Sequence, residues 1–348
     1  MSHTPDDKSV PTRYCTPEGE RSRAVSGDRT DLSALNAALE SSLVSSTSTK
    51  SLPRVSRIPP RRIALCGGGI LGIAHAGFMK ALSEEKLLDH VKEVIGISAG
   101  SLFALLWVIG YTVKQIEELA LTFDFSILRS ITPESVFNFP ATFGLDTGER
   151  LDSFIGSLLH QKGFSADATF EDIARSHPIH LRCFATELQT SRLRQFGTVA
   201  TPKVQVRFAL RASMSVPILY PPVLEPGGAL LVDGGILNNL PLVFMSPAEI
   251  EETWCVFFTR EPCVVLEPVT SLSEMLRMVF DSMILMKTSP FMKQFQGRLV
   301  CIPVNIQNAL EFGQASDTRR ELVERAYALT RKFLFTPSLC PARRFSAS

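Results

Sequence analysis

Ser98 lies at the centre of the segment Gly96–Gly100, which reads G-I-S-A-G and has the form G-x-S-x-G. A short apolar segment precedes this motif and a long apolar segment follows it, so we predict a strand, a tight turn and a helix. In that context the serine hydroxyl is exposed above the sheet and can attack a carbonyl carbon, while Gly96 and Gly100 relieve crowding of the backbone. A serine after a strand can also cap the next helix. Catalysis therefore requires partner residues.

A run of three glycines, Gly67-Gly68-Gly69, follows the preceding predicted strand. Consecutive backbone N–H groups there could point at one carbonyl oxygen and form the oxyanion hole that acyl transfer needs. Gly67, Gly69 and Gly72 also match the G-x-G-x-x-G form of dinucleotide-binding loops. The second strand, however, ends in the serine motif and not in the acidic residue that binds a ribose. A nucleotide-binding protein stays an alternative that a titration with NAD or NADP would test.

A serine nucleophile needs a base, because a hydroxyl that keeps its proton is a poor nucleophile. No histidine follows His180, which excludes a hydrolase triad with a late histidine. The later chain contains Asp233 at the end of an apolar segment, followed by Gly234 and Gly235. An aspartate can act as a general base when burial raises its pKa towards the working pH. The alternative for Asp233 is an Asx turn with the glycines.

From Arg62 onward, short apolar segments alternate with helical patterns. We predict strands at RIALC, EVIGI, IHLRCFATEL, ALLVD, TWCVFFT and RLVCIPV. We predict helices at GIAHAGFMKALSEEKLL, AGSLFALLWVIGYT, TGERLDSFIGSLLHQ, SLSEMLRMVFDSMILMK and DTRRELVERAYALTRKFL, the fourth opening with a capping box from Ser271 to Glu274. This order indicates an α/β protein with a largely parallel or mixed sheet that helices cover on both faces.

Three separated motifs, GGGILG, GISAG and DGG, resemble in order and spacing those of the patatin-like phospholipases. Five further segments extend the resemblance over about residues 62 to 334: FGLDTGERL, CFATELQT, RASMSVPILYPPV, VDGGILNNLPL and the terminal LVERAYALTRKFL. It implies a three-layer α/β/α sandwich with a central mostly parallel or mixed sheet, and lipid acyl hydrolysis by a Ser-Asp dyad without a metal or other cofactor. Carried over by position, it implies Ser98 as nucleophile, Asp233 as base, an oxyanion loop of Gly67, Gly68 and Gly69, and an elbow bounded by Gly96 and Gly100.

One residue departs from the family pattern. Many members carry arginine or lysine in the form G-G-G-x-R/K-G, where this chain has Leu71. The resemblance as a whole implies a phospholipase A type of hydrolase that acts on phospholipid or other acyl lipid at a membrane surface. A catalytically weak or inactive lipid-binding module on the same fold stays open as the alternative.

The composition indicates a globular protein with a tail. Of the 348 residues, 45% are hydrophobic and 20% are charged, and the net charge of +1 creates no field that would attract nucleic acid. The seven cysteines form no C-x-x-C pair, which favours reduced thiols in an intracellular protein. Neither a signal peptide nor an apolar run that could span a membrane is present. We expect a cytoplasmic protein that can associate peripherally with membranes, and the sequence predicts no oligomeric state.

We divide the chain into a disordered tail rich in Ser, Thr, Arg and Pro (1–60), an acyl hydrolase domain (61–336) and a short flexible C-terminus (337–348). The end of the tail is basic and could contact anionic lipid or serve as a solvated linker; its cations are Lys50, Arg54, Arg57, Arg61 and Arg62.

Further residues near these motifs are assigned to packing. We expect His75 to be a buried packing histidine. Ser213 and Ser215 should belong to a structural turn without a catalytic role. The predicted helix at 271–287 carries Met275, Met278, Met283 and Met286, which we assign to the core, with a pliable face for acyl chains as the alternative.

Overall fold

The fold is built around a mixed β-sheet. The computed structural model describes residues 58–260, 269, 272–304, 313 and 315–336. Within them the sheet has eight strands: β1 (Arg62–Leu65), β2 (Glu93–Ile97), β3 (His180–Glu187), β4 (Arg192–Gly197), β5 (Val223–Leu224), β6 (Leu230–Asp233), β7 (Thr253–Arg260) and β8 (Leu299–Val304). Their order is β5-β6-β3-β2-β1-β7-β8, and β4 also pairs with β3. Strands β3, β2, β1, β7 and β8 run parallel, whereas β4, β5 and β6 join by antiparallel pairing.

Helices flank this sheet, which confirms the predicted α/β class and layered architecture. They are α1 (Ala74–Glu84), α2 (Ala99–Val108), α3 (Val113–Thr122), α4 (Pro133–Thr142), α5 (Glu149–Gln161), α6 (Phe170–Ser176), α7 (Val206–Ser213), α8 (Pro247–Glu251), α9 (Leu272–Gln294) and α10 (Ser316–Phe335). Every strand and helix predicted from the sequence is present, with ends shifted by a few residues. The short helices α3, α4, α6, α7 and α8 and the strands β4 and β5 are additional.

Strand β3 brings the ends of two other strands together. Its residues 180–184 pair with β2, and its residues 182–187 pair with β4. A strand has two edges, and β4 occupies one edge of β3 along residues 182–187. Strand β6 pairs with residues 185–187, so it must lie on the other edge, which β2 also uses. Ile97 of β2 lies opposite Phe184, and Asp233 of β6 lies opposite Ala185. The carboxyl ends of β2 and β6 therefore meet at adjacent residues of β3.

The amino ends of the strands carry ion pairs. Arg62 Nη1 lies 2.7 Å from Glu252 Oε2, and Arg62 Nε lies 2.9 Å from Glu93 Oε2. Arg182 donates two hydrogen bonds of 2.8 Å to the carboxylate of Glu93. Arg62 thus holds strand ends together, which disfavours its predicted use as a free cation for lipid headgroups.

Several predictions fall outside the described residues. These are most of the tail (1–57) with Lys50, Arg54 and Arg57, the C-terminal segment 337–348, and the capping box of Ser271 and Glu274. Among the helices that are described, none is both long enough and apolar enough to cross a membrane.

The methionine prediction is wrong. On α9, exposed fractions reach 49% for Met275, 46% for Met283 and 76% for Met286, and Met278 is also exposed. The helix is linked to the loop after β6 by a 2.8 Å hydrogen bond from Lys287 Nζ to the carbonyl of Ile236. These thioethers therefore lie on the surface and not in the core.

Candidate active site

Ser98 lies in a sharp turn between β2 and α2. Its backbone has φ 51° and ψ −127°, a conformation that a residue with a side chain rarely adopts. A Cβ atom added at Gly96 would collide with the backbone of Ser101, and one added at Gly100 would collide with the carbonyl oxygen of Leu65. Only glycine allows this close approach of β1, β2 and α2. The side chain of Ser98 is consequently held at the carboxyl end of the sheet, as expected of a nucleophile elbow.

Asp233 ends β6, directly across from the end of β2. Its Oδ1 accepts a 2.8 Å hydrogen bond from the N–H of Gly235, which is the turn contact foreseen as the structural alternative. Its Oδ2 is buried and has no hydrogen-bond partner among the described residues. The hydroxyl of Ser98 lies near enough to affect the carboxylate, although no well-aligned hydrogen bond joins the two groups.

The environment of Asp233 changes its acidity. Burial raises its pKa from 3.8 to about 6, and the nearby Ser98 hydroxyl and the Gly235 N–H offset only part of that rise. A carboxylate with this pKa is ionised at neutral pH, yet it accepts a proton more readily than an exposed aspartate does. Asp233 therefore has the properties of a general base.

The glycine loop differs from the prediction at its first residue. Gly67 donates its N–H to Asn239 Oδ1 over 2.8 Å, and Asn239 Nδ2 donates to the carbonyl of Gly67 over 3.0 Å. Because this N–H is occupied, Gly67 is removed from the predicted set of oxyanion donors. Within the described part of the chain, the N–H groups of Gly68 and Gly69 have no acceptor. Gly69 has φ 55°, which favours glycine at this position.

Two serines that we assigned to a structural turn accept hydrogen bonds from the backbone of the two candidate catalytic residues. Ser98 donates its backbone N–H to Ser213 Oγ over 3.0 Å. Asp233 donates its backbone N–H to the carbonyl of Ser215 over 2.8 Å. Both serines are fully buried. The end of α7 and the turn after it thus fix the backbone of both candidate catalytic residues.

His75 and Leu71 lie in the core beside the loop. His75 Nε2 donates to the carbonyl of Cys66 over 2.9 Å, and its ring stacks on Phe258 with centroids 5.1 Å apart. Burial lowers the pKa of His75 to about 4, so the ring is neutral at physiological pH. His75 is buried as predicted for a packing histidine, but its hydrogen bonding is incomplete, because its Nδ1 has no partner among the described residues. Leu71 is 4% exposed, so this position provides an apolar contact and no charge.

The described residues contain no group of three or more His, Cys, Asp or Glu side chains that could hold a metal ion. Cys66, Cys183 and Cys255 are buried and unpaired. Burial raises the pKa of each of these thiols far above its ordinary value, so they remain protonated. These thiols therefore belong to the packing of the core.

An apolar pocket opens beside Ser98. Its walls come from the glycine loop, from α2 and from the segments that flank α4, and they include Gly69, Leu102, Phe103, Phe125, Leu219 and Tyr220. The cavity measures about 50 Å³. This cavity is smaller than the roughly 300 Å³ or more that ligand pockets usually enclose.

Comparisons with known proteins show the family to which the sequence is similar. The family model described as patatin-like phospholipase matches residues 63–245. An uncharacterized protein of Acanthamoeba polyphaga mimivirus is 28% identical over 208 residues, which cover 60% of this chain and 68% of that protein. A probable lipid hydrolase of Invertebrate iridescent virus 6 is 24% identical over 184 residues, which cover 52% of this chain and 62% of that protein. The chain thus spans about two thirds of the length of these relatives.

Among solved structures, VipD from Legionella pneumophila aligns with 85% of this chain and 72% of its own chain. The TM-score is 0.54 and the identity is 18%. This similarity shows a shared fold.

Proposed function

The chain belongs to the patatin-like phospholipase family, and on that premise we propose that it is a metal-independent lipid acyl hydrolase of the phospholipase A type. It cleaves fatty acyl esters through an acyl-enzyme on Ser98, with Asp233 as the base. The observation that carries the proposal is the buried Asp233 carboxylate, which has a pKa of about 6 and an oxygen without a hydrogen-bond partner in the described structure, beside a strained serine.

In the proposed mechanism, Asp233 removes the proton from Ser98 Oγ as that oxygen attacks the ester carbonyl. The carbonyl oxygen becomes an oxyanion, which the N–H groups of Gly68 and Gly69 stabilise. Asp233 then delivers the proton to the departing alcohol. In the second half it takes a proton from the water that attacks the acyl carbon, and it returns that proton to Ser98 Oγ as the fatty acid leaves. One carboxyl group thus transfers both protons.

Asn239 has a positioning role in this proposal. Its two hydrogen bonds hold both the N–H and the carbonyl of Gly67, which belong to the two peptide units on either side of that residue. A fixed Gly67 orients the next two peptide units, whose N–H groups must point at the place where negative charge develops. The loop is therefore organised before the substrate binds.

The test is release of free fatty acid from mixed phospholipid vesicles in EDTA. We compare the unmodified protein with Ser98→Ala and Asp233→Asn, after circular dichroism has shown that all three are folded. Release by the unmodified protein alone is expected, since residues that act as a unit lose activity together. The dyad is refuted if folded Asp233→Asn keeps most of the activity. Loss of activity in EDTA that calcium restores would refute the metal-independent mechanism.

A lipid-binding protein without turnover is the second candidate, favoured by the apolar Leu71 and by the poor alignment of the Ser98 hydroxyl with the Asp233 carboxylate. An alkyl fluorophosphonate separates the two, because it forms a covalent adduct only with an activated serine. Intact-mass measurement is expected to find the adduct, and peptide mapping should locate it on Ser98. Vesicle binding without an adduct or any fatty acid release would favour the second candidate.

A further inference from the structure

Helix α4 (Pro133–Thr142) shows its apolar residues to the solvent. Val136 is 50% exposed and Phe137 is 84% exposed, and Phe143, which ends the helix, is 60% exposed. By helical spacing, Val136, Pro140 and Phe143 lie on one side, with Phe137 next to them. A surface helix normally turns its apolar side to the core. Here the apolar side is on the outside.

The polar side of α4 anchors the helix instead. Ser135 is 7% exposed, and its hydroxyl donates to the carbonyl of Leu145 over 2.6 Å. The same hydroxyl accepts a 2.9 Å hydrogen bond from the N–H of Thr132, which closes a capping box. These contacts fix the helix with its apolar side outward, so the exposure results from a specific orientation and not from fraying.

Phe143 occupies its position at a conformational disadvantage. It has φ 60°, in the left-handed region where helices usually end with glycine or asparagine. Its ring gains little from packing, because more than half of it is exposed. A large aromatic residue in a strained and exposed position is unfavourable for the isolated fold. It is explained if the ring is buried against a partner.

Both ends of α4 join walls of the apolar pocket beside Ser98. The turn before the helix supplies Phe125 and Leu128 to that pocket. After the helix, the N–H groups of Leu145 and Asp146 donate to the carbonyls of Ile218 and Leu219 over 2.9 Å. Leu219 and Tyr220 line the pocket. The segments on both sides of α4 are therefore connected to residues that line the pocket beside Ser98.

We propose that the α4 face, defined as Ile131, Val136, Phe137, Pro140 and Phe143, inserts into the surface of a lipid bilayer and places the pocket entrance at the acyl chains. This inference rests on the proposed function. Amphipathic helices bind bilayers by burying their apolar side at the boundary between headgroups and acyl chains. Two positive residues, Arg129 and Arg150, and three negative residues, Asp124, Glu134 and Glu149, lie near the helix in the sequence, so this region has no excess of positive charge to attract anionic lipid. Binding is thus driven by apolar burial and does not require anionic lipid.

The first experiment locates the inserted residue with a fluorescent reporter in the full-length chain. Phe137→Trp is mixed with phosphatidylcholine vesicles that carry bromine on their acyl chains, which quenches tryptophan at that depth. The matched control is Val199→Trp, because Val199 is 82% exposed and lies with Arg62 and His180 at the opposite end of the sheet. Quenching beyond that of the unmodified protein is expected for Phe137→Trp alone. Equal quenching in both variants, or none in either, overturns the proposal.

The second experiment measures partitioning onto phosphatidylcholine vesicles by sedimentation. Phe137→Ser is expected to lower the partition coefficient about tenfold, the value of one large apolar side chain. Phe143→Asn should do the same although asparagine suits the left-handed conformation better, so misfolding cannot explain its loss. Val199→Ser should have no effect. Binding that requires anionic lipid and is lost in salt would contradict the proposal.

Two further outcomes separate the alternatives. If light scattering without lipid shows a dimer that Phe137→Ser dissociates, a second copy covers the α4 face and the proposal is wrong. Vesicle binding does not depend on turnover, so we repeat it with Ser98→Ala. Vesicle binding by the unmodified protein without fatty acid release would refute the proposed function alone. Fatty acid release from vesicles that Phe137→Ser leaves unaltered would refute the docking surface alone.

Discussion

Replacing Asp233 by asparagine is expected to stabilise the folded protein while it abolishes the proposed hydrolysis. Burial raises the pKa of this carboxyl group from 3.8 to about 6, so the fold disfavours the ionised form. A folded-state pKa above the unfolded value contributes stability that is fully present below about pH 4 and is lost as the pH rises through about 6. At neutral pH the unmodified protein therefore retains a costly charge that asparagine removes.

The structure sets the size of this effect. A difference of about two pKa units, at about 1.4 kcal/mol for each, corresponds to about 3 kcal/mol at pH 8. At pH 5 the Asp233 carboxyl group is ionised in the unfolded chain but still protonated in most folded molecules. The same relation then gives a loss of stability of about half the value at pH 8. Asparagine keeps an oxygen for the N–H of Gly235, whereas its amide donors have only the Ser98 hydroxyl nearby. The measured gain should accordingly be about 1–3 kcal/mol at pH 8.

Urea unfolding of both proteins at pH 5 and pH 8 gives the free energies of unfolding. The matched control is Asp146→Asn, because Asp146 is also fully buried but both of its carboxylate oxygens accept backbone N–H groups, from Ser130 and Gly148. The side-chain NH2 group of Asp146→Asn must face one of these two N–H groups, so two donors meet without an acceptor. We therefore expect Asp146→Asn to lower the free energy of unfolding. If Asp233→Asn is destabilised equally at both pH values, Asp233 is a structural acceptor and its proposed role as a desolvated base is wrong.

Two other predictions follow from the same geometry. The pH profile of kcat/KM for a soluble acyl ester should rise through about pH 6 and level off above it, since Asp233 must be ionised to act as the base; a flat profile from pH 5 to 8 would contradict this. Asn239→Ala should lower kcat at least tenfold with little change in KM, because it releases the loop that forms the oxyanion hole; an effect confined to KM would assign Asn239 to substrate binding.

The sheet and the main helices were predictable because their apolar patterns are strong. The segments of β1, β2 and β7 are nearly continuous runs of apolar residues, as buried parallel strands require. The short helix α3 has a local signal at its start, where Thr112 caps the helix and forms a capping box with Gln115 in the first turn. The apolar pattern of helix α4 gives a weaker signal, because its large apolar residues are exposed and do not face the core.

The candidate site was predictable only as far as local sequence determines it. The elbow around Ser98 is local, because Gly96 and Gly100 lie within two residues of the serine. The engagement of Gly67 by Asn239 is not local, since 172 residues separate them. Nothing in the glycine motif indicates which of its N–H groups another part of the chain will occupy. The support from Ser213 depends in the same way on packing between distant segments.

The meeting of Ser98 and Asp233 follows from the register of the sheet. Strand β2 runs parallel to β3 and β6 runs antiparallel, so their carboxyl ends converge on Phe184 and Ala185. A shift of one residue in β6 would turn Asp233 to the other face of the sheet, because side chains alternate along a strand. The backbone hydrogen bonds of Asp233 to Ser215 and from Thr186 oppose that shift. The geometry that brings the proposed base and the proposed nucleophile together is therefore fixed by strand pairing.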